Sequence, residues 1–255
     1  MDIAPKYAGS ASGLMNTGSA LAAILSPPRH VMYIPDAQKM DTKAIGKILG
    51  PRFDAISGDG ERALQELGLP PDAAMLDVGT GNGYFAIYLA SQGFQVLTGE
   101  PSTDRSHYAG RDWALNAKKA GVLDKIRFQA FDASKLPFES EAFDAVFFCG
   151  VLHHVSEHLR GDVFREALRV SKQNGVVVFF EPRMEMLQRL WADDPGHPLA
   201  ANPSDYLPDA SIRAHRIEGS FMDISIYKKA LAFSPRGSRT LPIDNGISAE
   251  DSTAL

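Results

Sequence analysis

Three glycines at alternate positions, Gly79, Gly81 and Gly83, follow Asp77 at the end of a short apolar run from Ala73 to Val78. Glycine tolerates the backbone angles of such a turn, and its missing Cβ lets a ligand approach the main chain. Free amides at the start of the next helix could hold a carboxylate or a phosphate. A second acid, Glu100, stands about 20 residues beyond the first glycine, where a carboxylate can accept both hydrogens of a ribose diol. A third, Asp132, heads the string Asp-Ala-Ser-Lys-Leu-Pro-Phe at 132–138. His153 and His154 follow another apolar run and could serve as a general base toward a hydroxyl. Packing or capping roles suit both histidines equally well.

Spacing separates the two ligand classes that use a glycine turn of this kind. The dinucleotide fingerprint G-x-G-x-x-G would put its third glycine at position 84. Tyr84 occupies that position. Its bulk opposes the close helix-to-strand contact that a pyrophosphate requires, which disfavours NAD. Glu100 supports an adenosine without choosing between cofactors. A metal pattern is also present, because His154-Val-Ser-Glu157-His158 satisfies H-x-x-E-H, the inverted zinc-peptidase motif. That chemistry needs both histidines on one helical turn and a third protein ligand. Here the string straddles a strand-to-helix junction and no third ligand is evident, so no metal is expected.

The elements that must position these residues can be read from periodicity. The first strand ends at Val78, and a helix follows with Phe85, Ile87, Leu89 and Ala90 on its apolar face. A second strand, Phe94 to Gly99, delivers Glu100-Pro101. A helix is expected from Asp104 to Ala120 with Trp113, Leu115 and Ala117 buried, stopped by Gly121. The third strand, Lys125 to Phe131, leads to Asp132. The fourth, Asp144 to Cys149, is apolar enough to be covered on both faces. A helix from Glu157 to Ser171 presents Val163, Phe164, Ala167, Leu168 and Val170. Asn174-Gly175 turns into a fifth strand, Val176 to Phe180, ending at Glu181-Pro182. Glu185 to Trp191 reads as helix and Asp193 to Asp209 as loop. Ser211 to Ile217 and Phe221 to Lys228 form a hairpin. Upstream, Asp41 caps a helix carrying Ile45, Ile48 and Leu49 that Gly50-Pro51 stops, and a second helix spans about Gly60 to Leu67. These two helices either cover the substrate side of the site or pack on the sheet edge.

The series D-x-G-x-G-x-G at Asp77–Gly83, Glu100, the 132–138 string, the Phe-Asp-x-Val and Leu-His-His strings of 143–154, and the terminal hairpin resembles the Rossmann-like (class I) S-adenosylmethionine (SAM)-dependent methyltransferases, in the small-molecule "methyltransferase type 11" branch. The resemblance implies an α/β fold: a Rossmann-like seven-stranded, mostly parallel sheet with helices on both faces and a C-terminal antiparallel hairpin. It further implies that Asp77, Gly79, Thr80, Gly81, Gly83, Glu100, Pro101, Asp132, Ala133, Cys149 and Gly150 line the SAM pocket. The glycine-turn amides would face the methionine part, Glu100 the ribose and Asp132 the adenine. A structural Asp capping its own turn is the alternative for Asp132. Cys149 reads as a small buried hydrophobe rather than a nucleophile. The strand-four junction carries Cys-Gly-Val-Leu in place of the N-P-P-Y-like string of enzymes that methylate exocyclic or amide nitrogens. The mild departure is Gln173-Asn174-Gly175, where the family usually has a proline.

The implied activity is methyl transfer to an unidentified acceptor, preferably a small molecule. Rival readings are a SAM-binding subunit that has lost turnover and, behind it, an NAD-dependent oxidoreductase. The chain has 255 residues and a net charge of -5 without a Lys/Arg run, which argues against an obligatory nucleic-acid partner. A single cysteine excludes an intrachain disulfide framework and fits a reducing cytoplasm. Four regions are expected: an atypical segment at 1–28, a helical cap at 29–71, the methyltransferase domain at 72–230 and a disordered tail at 231–255. The first segment is uncharged from Tyr7 to Pro28, yet only half apolar, with Ser, Thr and Asn spread through it. It lacks the basic start of a secretory signal. Residues 3–18 resemble a late helix of major-facilitator transporters. The segment reads as a fusion or start-site artefact, or a poorly docked tail, and no stable membrane insertion is expected.

Overall fold

The computed structural model describes residues 39–106, 108–109, 112–209 and 211–230. The expectations for residues 1–28 and for the tail at 231–255 lie outside the described residues, as does the start of the helical cap. A seven-stranded sheet forms the centre, with β1 at Met75–Val78, β2 at Val96–Gly99, β3 at Ile126–Phe128, β4 at Phe143–Cys149, β5 at Ser171–Pro182, β6 at Ile212–Glu218 and β7 at Met222–Lys229. The strand order is β3-β2-β1-β4-β5-β7-β6. The first five strands are parallel, and β7 pairs antiparallel with both β5 and β6. Chain direction reverses its path across the sheet between β1 and β4. That break leaves a crevice at their carboxyl ends, the place where open α/β sheets bind ligands.

Alternate residues of the central strands feed two separate cores, as a sheet covered on both faces requires. Met75, Ala145, Phe147, Val178 and Phe180 point to one side, where α1 (Thr42–Leu49), α2 (Pro51–Leu67) and α3 (Tyr84–Ser91) pack. Leu76, Val146, Phe148, Val177 and Phe179 point to the other, against α5 (Glu157–Val170). The apolar face expected for α5 is buried except that Leu168 keeps slight exposure. Every residue of α3 after Tyr84 is buried, because α2 lies over its outer side. Contact there is close enough that a Cβ on Gly60 would stand 2.6 Å from the Tyr88 ring.

Three expectations need correction. The helix foreseen at Asp104 begins only at Trp113, and α4 covers Trp113–Lys119. Local hydrogen bonds to the side chains of Asp104 and Ser106 hold the preceding stretch in turns instead. Of its three supposed core residues Ala117 is buried, Trp113 is half-buried and Leu115 is exposed. The second N-terminal helix starts at Pro51, not near Gly60. Proline suits the first helical position, whose amide would have no partner inside the helix. The Asn174-Gly175 turn is absorbed into β5, whose register jumps from Phe143 opposite Ser171 to Ala145 opposite Val176. In addition, α6 spans Met184–Asp193, and a short 3-10 turn at Pro203–Tyr206 interrupts the expected loop.

The N-terminal helices pack rather than form a separate lid. Asp41 caps α1 by accepting the Lys43 amide at 2.9 Å. Asp59 of α2 is wholly buried, and its carboxylate accepts the amides of Ser220, Phe221 and Met222 at 2.6–2.9 Å. That side chain ties α2 to the β6–β7 turn, and Arg62 adds an exposed bond to the Ser220 hydroxyl at 3.0 Å.

Candidate functional site

The glycine turn, the second-strand acid and the third-strand segment meet at the carboxyl rim of β1, β2 and β3. Gly79, Gly81 and Gly83 all have positive φ, at 89°, 49° and 76°, so each position strains any other residue. The space is restricted too, since a Cβ on Gly79 would lie 2.3 Å from Val151 and one on Gly83 would lie 2.9 Å from Trp113. The Gly81 amide donates to Glu100 Oε2 at 2.9 Å. Next along the rim, the Phe131 amide donates to the Glu100 carbonyl at 3.2 Å, which sets Asp132 beside the same acid. Gly99 permits this convergence: a Cβ there would come within 1.9 Å of the Gln129 carbonyl.

Asp132 is exposed and its Oδ1 accepts both the amide and the hydroxyl of Ser134 at 2.8 Å, the turn-capping role that sequence left open. The rest of its segment is anchored from α5. Glu166 accepts the Leu136 amide, and Arg169 donates to the carbonyls of Leu136 and Phe138. Ala133 and Pro101 are half-buried beside these acids.

Behind the turn runs a buried polar chain that spacing alone did not reveal. Thr80 and Thr98 share a 2.9 Å hydroxyl contact, and Thr98 donates to Asp77 Oδ2 at 2.8 Å. Thr98 spends its proton on the carboxylate, so Thr80 is the donor of the first bond. Asp77 Oδ1 is buried and has no hydrogen-bond partner among the described residues. Burial raises the Asp77 pKa to about 7, against the opposing Thr98 bond and with a further push from Glu100. An orphan acceptor of this kind is a place for a ligand's donor.

On the other side of the crevice, Cys149 and Gly150 end β4. Gly150 has a φ of 68°, and its amide is taken by the Phe180 carbonyl at 2.9 Å. Cys149 is half-buried with its sulfur 3.9 Å from that of Met222, and burial pushes its thiol pKa well up. It is an inert thiol, as a small core residue should be. His153 and His154 follow on a 3-10 turn at Leu152–His154. His153 is buried with Nδ1 at 2.7 Å from Glu181 Oε2, whereas His154 keeps one side exposed. On its packed side, Tyr108 and His197 come within 4.7 and 5.0 Å of the His154 ring. Desolvation first, then the imidazoles of His153 and His197, push the His154 pKa down to about 3. Glu157 begins α5 and His158 is exposed on it, so the H-x-x-E-H string does not gather as a zinc peptidase would require. Tyr108, Glu181, Asp194 and His197 are the residues that sequence reasoning missed. Only Glu181-Pro182 carried a signal, since it repeats the acid-proline ending of β2.

Fold and rim together define a Rossmann-like α/β domain with a glycine turn and two acids gathered at its switch point. Residues 76–179 match the family described as a methyltransferase domain. A 27-O-demethylrifamycin SV methyltransferase of Amycolatopsis mediterranei is 35% identical over 101 residues, which is 40% of this chain and 35% of that protein. A demethylmenaquinone methyltransferase of Roseiflexus castenholzii is 34% identical over 131 residues, 48% of this chain and 50% of that protein. The chain thus spans between about a third and a half of the length of the curated relatives it matches. Among solved structures, a Methanococcus maripaludis protein provisionally described as a SAM-dependent methyltransferase has the same fold. Its TM-score is 0.57 at 18% identity, covering 80% of this chain and 98% of that one. A Pyrococcus horikoshii protein matches with a TM-score of 0.55 at 20% identity, covering 70% and 90%. No helix among the described residues is long and apolar enough to cross a membrane.

Proposed function

We propose that this chain binds SAM and transfers its methyl group to an acceptor, preferably a small molecule. The observation that carries the reading is that Glu100 takes the Gly81 amide on its carboxylate and the Phe131 amide on its carbonyl, which sets the glycine turn, Glu100 and Asp132 side by side. It sets a carboxylate for a sugar diol between open backbone and an acid for a base, in the order an adenosine needs. Asp77 Oδ1 supplies the missing counterpart for a ligand ammonium. A geranyl diphosphate methyltransferase in complex with SAM shares the fold with a TM-score of 0.50 at 16% identity, which is compatible with such a pocket.

When bound, the sulfonium supplies a methyl carbon that is already electrophilic. The chain's task is then positional, and holding reactants in line is worth up to about 7–11 kcal/mol in favourable systems. Glu100 would release the Gly81 amide and turn its carboxylate to the ribose. Asp132 would use Oδ2 toward the adenine while Oδ1 keeps its turn, with the Ala133 amide beside it. Thr80 and Thr98 hold Asp77 in place. Residues 183–210, which include His197 and Asp194, line the acceptor side with His153 and His154. His154 stays neutral over the physiological range, and with its pKa pushed down to about 3 it is too weak a base to carry the proton transfer, which leaves it a positioning role beside the acceptor. A cytoplasmic location fits the single free thiol.

Calorimetry with SAM, S-adenosylhomocysteine and NAD tests the pocket. Glu100→Ala should weaken SAM roughly 10- to 100-fold, the loss of hydrogen bonds to a charged group. Asp132→Ala should weaken it less, by about 10-fold, since that acid is exposed. Preference for NAD, or unchanged affinity in both variants, would sink the assignment. Methyl transfer from labelled SAM to candidate acceptors separates an enzyme from a binding subunit.

A further inference from the structure

Three histidines from two distant parts of the chain converge beside the carboxyl end of β4. His153, His154 and His197 each offer a ring nitrogen, and these atoms lie within 4.8 Å of one another. The rings form a triangle of tilted and edge-on contacts with centroids 4.3, 5.1 and 5.0 Å apart. We propose that His153, His154 and His197 form a binding site for one divalent transition-metal ion, zinc by preference, with a coordination position left open. The proposal stands independently of the methyl-transfer reading, because it needs no cofactor.

The surroundings of the rings distinguish the cluster from incidental packing. His197 Nδ1 faces the Pro198 carbonyl at 2.8 Å, and a carbonyl only accepts, so Nδ1 carries the proton and Nε2 the lone pair. His153 Nδ1 is held at 2.7 Å by Glu181, whose Oε2 also accepts the Ala201 amide at 3.0 Å. A carboxylate or carbonyl behind each ring is the usual support of a metal-binding histidine, fixing its tautomer and direction. Arg160 locks the turn that carries the pair by donating to the carbonyls of His153 and Val155. The other oxygen of that carboxyl, Glu181 Oε1, is buried and has no hydrogen-bond partner among the described residues. Asp194 adds a second acid, fixed by the Tyr108 hydroxyl at 2.5 Å.

Chemistry selects the ion. Three imidazoles without a thiolate suit zinc, cobalt, nickel or copper, while magnesium and calcium want oxygen ligands. Zinc binds nitrogens at roughly 2.0–2.1 Å, so its ligands stand roughly 3–4 Å apart, and small ring rotations close the observed spacing. Three protein ligands with one place for water or a substrate oxygen is the arrangement of zinc sites that meet substrates.

The test uses the full chain, stripped with chelator and titrated with cobalt(II) as a coloured probe and with zinc by calorimetry, in the absence of SAM. One equivalent should bind saturably, with the ligand-field spectrum of a four- or five-coordinate nitrogen site. In the unmutated chain, cobalt should shift the imidazole proton resonances of His153, His154 and His197 and spare those of His158 and His215. His197→Gln should abolish the signal, Glu181→Gln should weaken binding roughly 10- to 100-fold, and His158→Gln should leave it unchanged. Failure of the unmutated chain to give a saturable spectrum, or shifts confined to other histidines, would overturn the proposal whatever the variants do. SAM binding can fail while this site persists, and the reverse, so the two readings fall separately.

Discussion

Asp77 shows how one residue can be destabilising alone and useful with a ligand. Its carboxyl titrates near 7 in the fold against an ordinary value of 3.8. Between those values the folded chain binds more protons than the unfolded one, so stability falls as pH rises from about 4 to about 7. Below 3.8 both states are protonated and the effect vanishes. Above 7 the penalty is complete, on the order of a few kcal/mol. Asp77→Asn removes the charge, so its urea midpoint should gain on the unmutated chain steadily across that window; parallel curves would show that Asp77 is not desolvated. The same substitution should weaken SAM about 10-fold or more by removing the acceptor for its ammonium. A gain in stability paired with a loss in affinity is the signature of a site held ready at the fold's expense.

At the scale of elements, junctions matter more than interiors. Gly99 ends β2 where β3 crosses toward Glu100, and any side chain there meets the Gln129 carbonyl and the Phe131 ring. Gly99→Ala should cost about 1–3 kcal/mol by overpacking and should displace Asp132, read as a lower melting temperature together with weaker SAM binding. The α2-to-hairpin tie depends on Asp59, since three consecutive amides share its carboxylate. Asp59→Ala leaves all three without a partner and should cost about 3 kcal/mol or more. Hydrogen exchange should then accelerate at residues 220–222 before it does in β4. Uniform loss of protection would mean that this tie belongs to the global fold and not to one joint. The late start of α4 belongs here as well, because the turns before it carry Tyr108 to the histidine cluster. A longer helix would have removed it.

At the scale of the whole molecule, the buried residues of both cores and all seven strands, among the described residues, fall within 45–229. Deleting residues 1–28 should leave SAM affinity unchanged by calorimetry, and a collapsed fold would refute that. What the sequence determined by itself was everything local or periodic. The alternating glycines, the apolar run of β4, the two-faced pattern of α5 and the acids placed just after strands follow from chain geometry, and they were enough for the sheet and for the glycine turn and acids at its rim. Helix starts were harder to read, because Pro51 and the Asp104 turns depend on which side-chain hydrogen bonds win. Tertiary structure alone decided the partnerships between distant residues: Thr98 with Asp77, Asp59 with the β6–β7 turn, and His197 with His153 and His154. No periodicity encodes them, since each depends on how two separately folded segments come to lie against one another at the rim of the sheet.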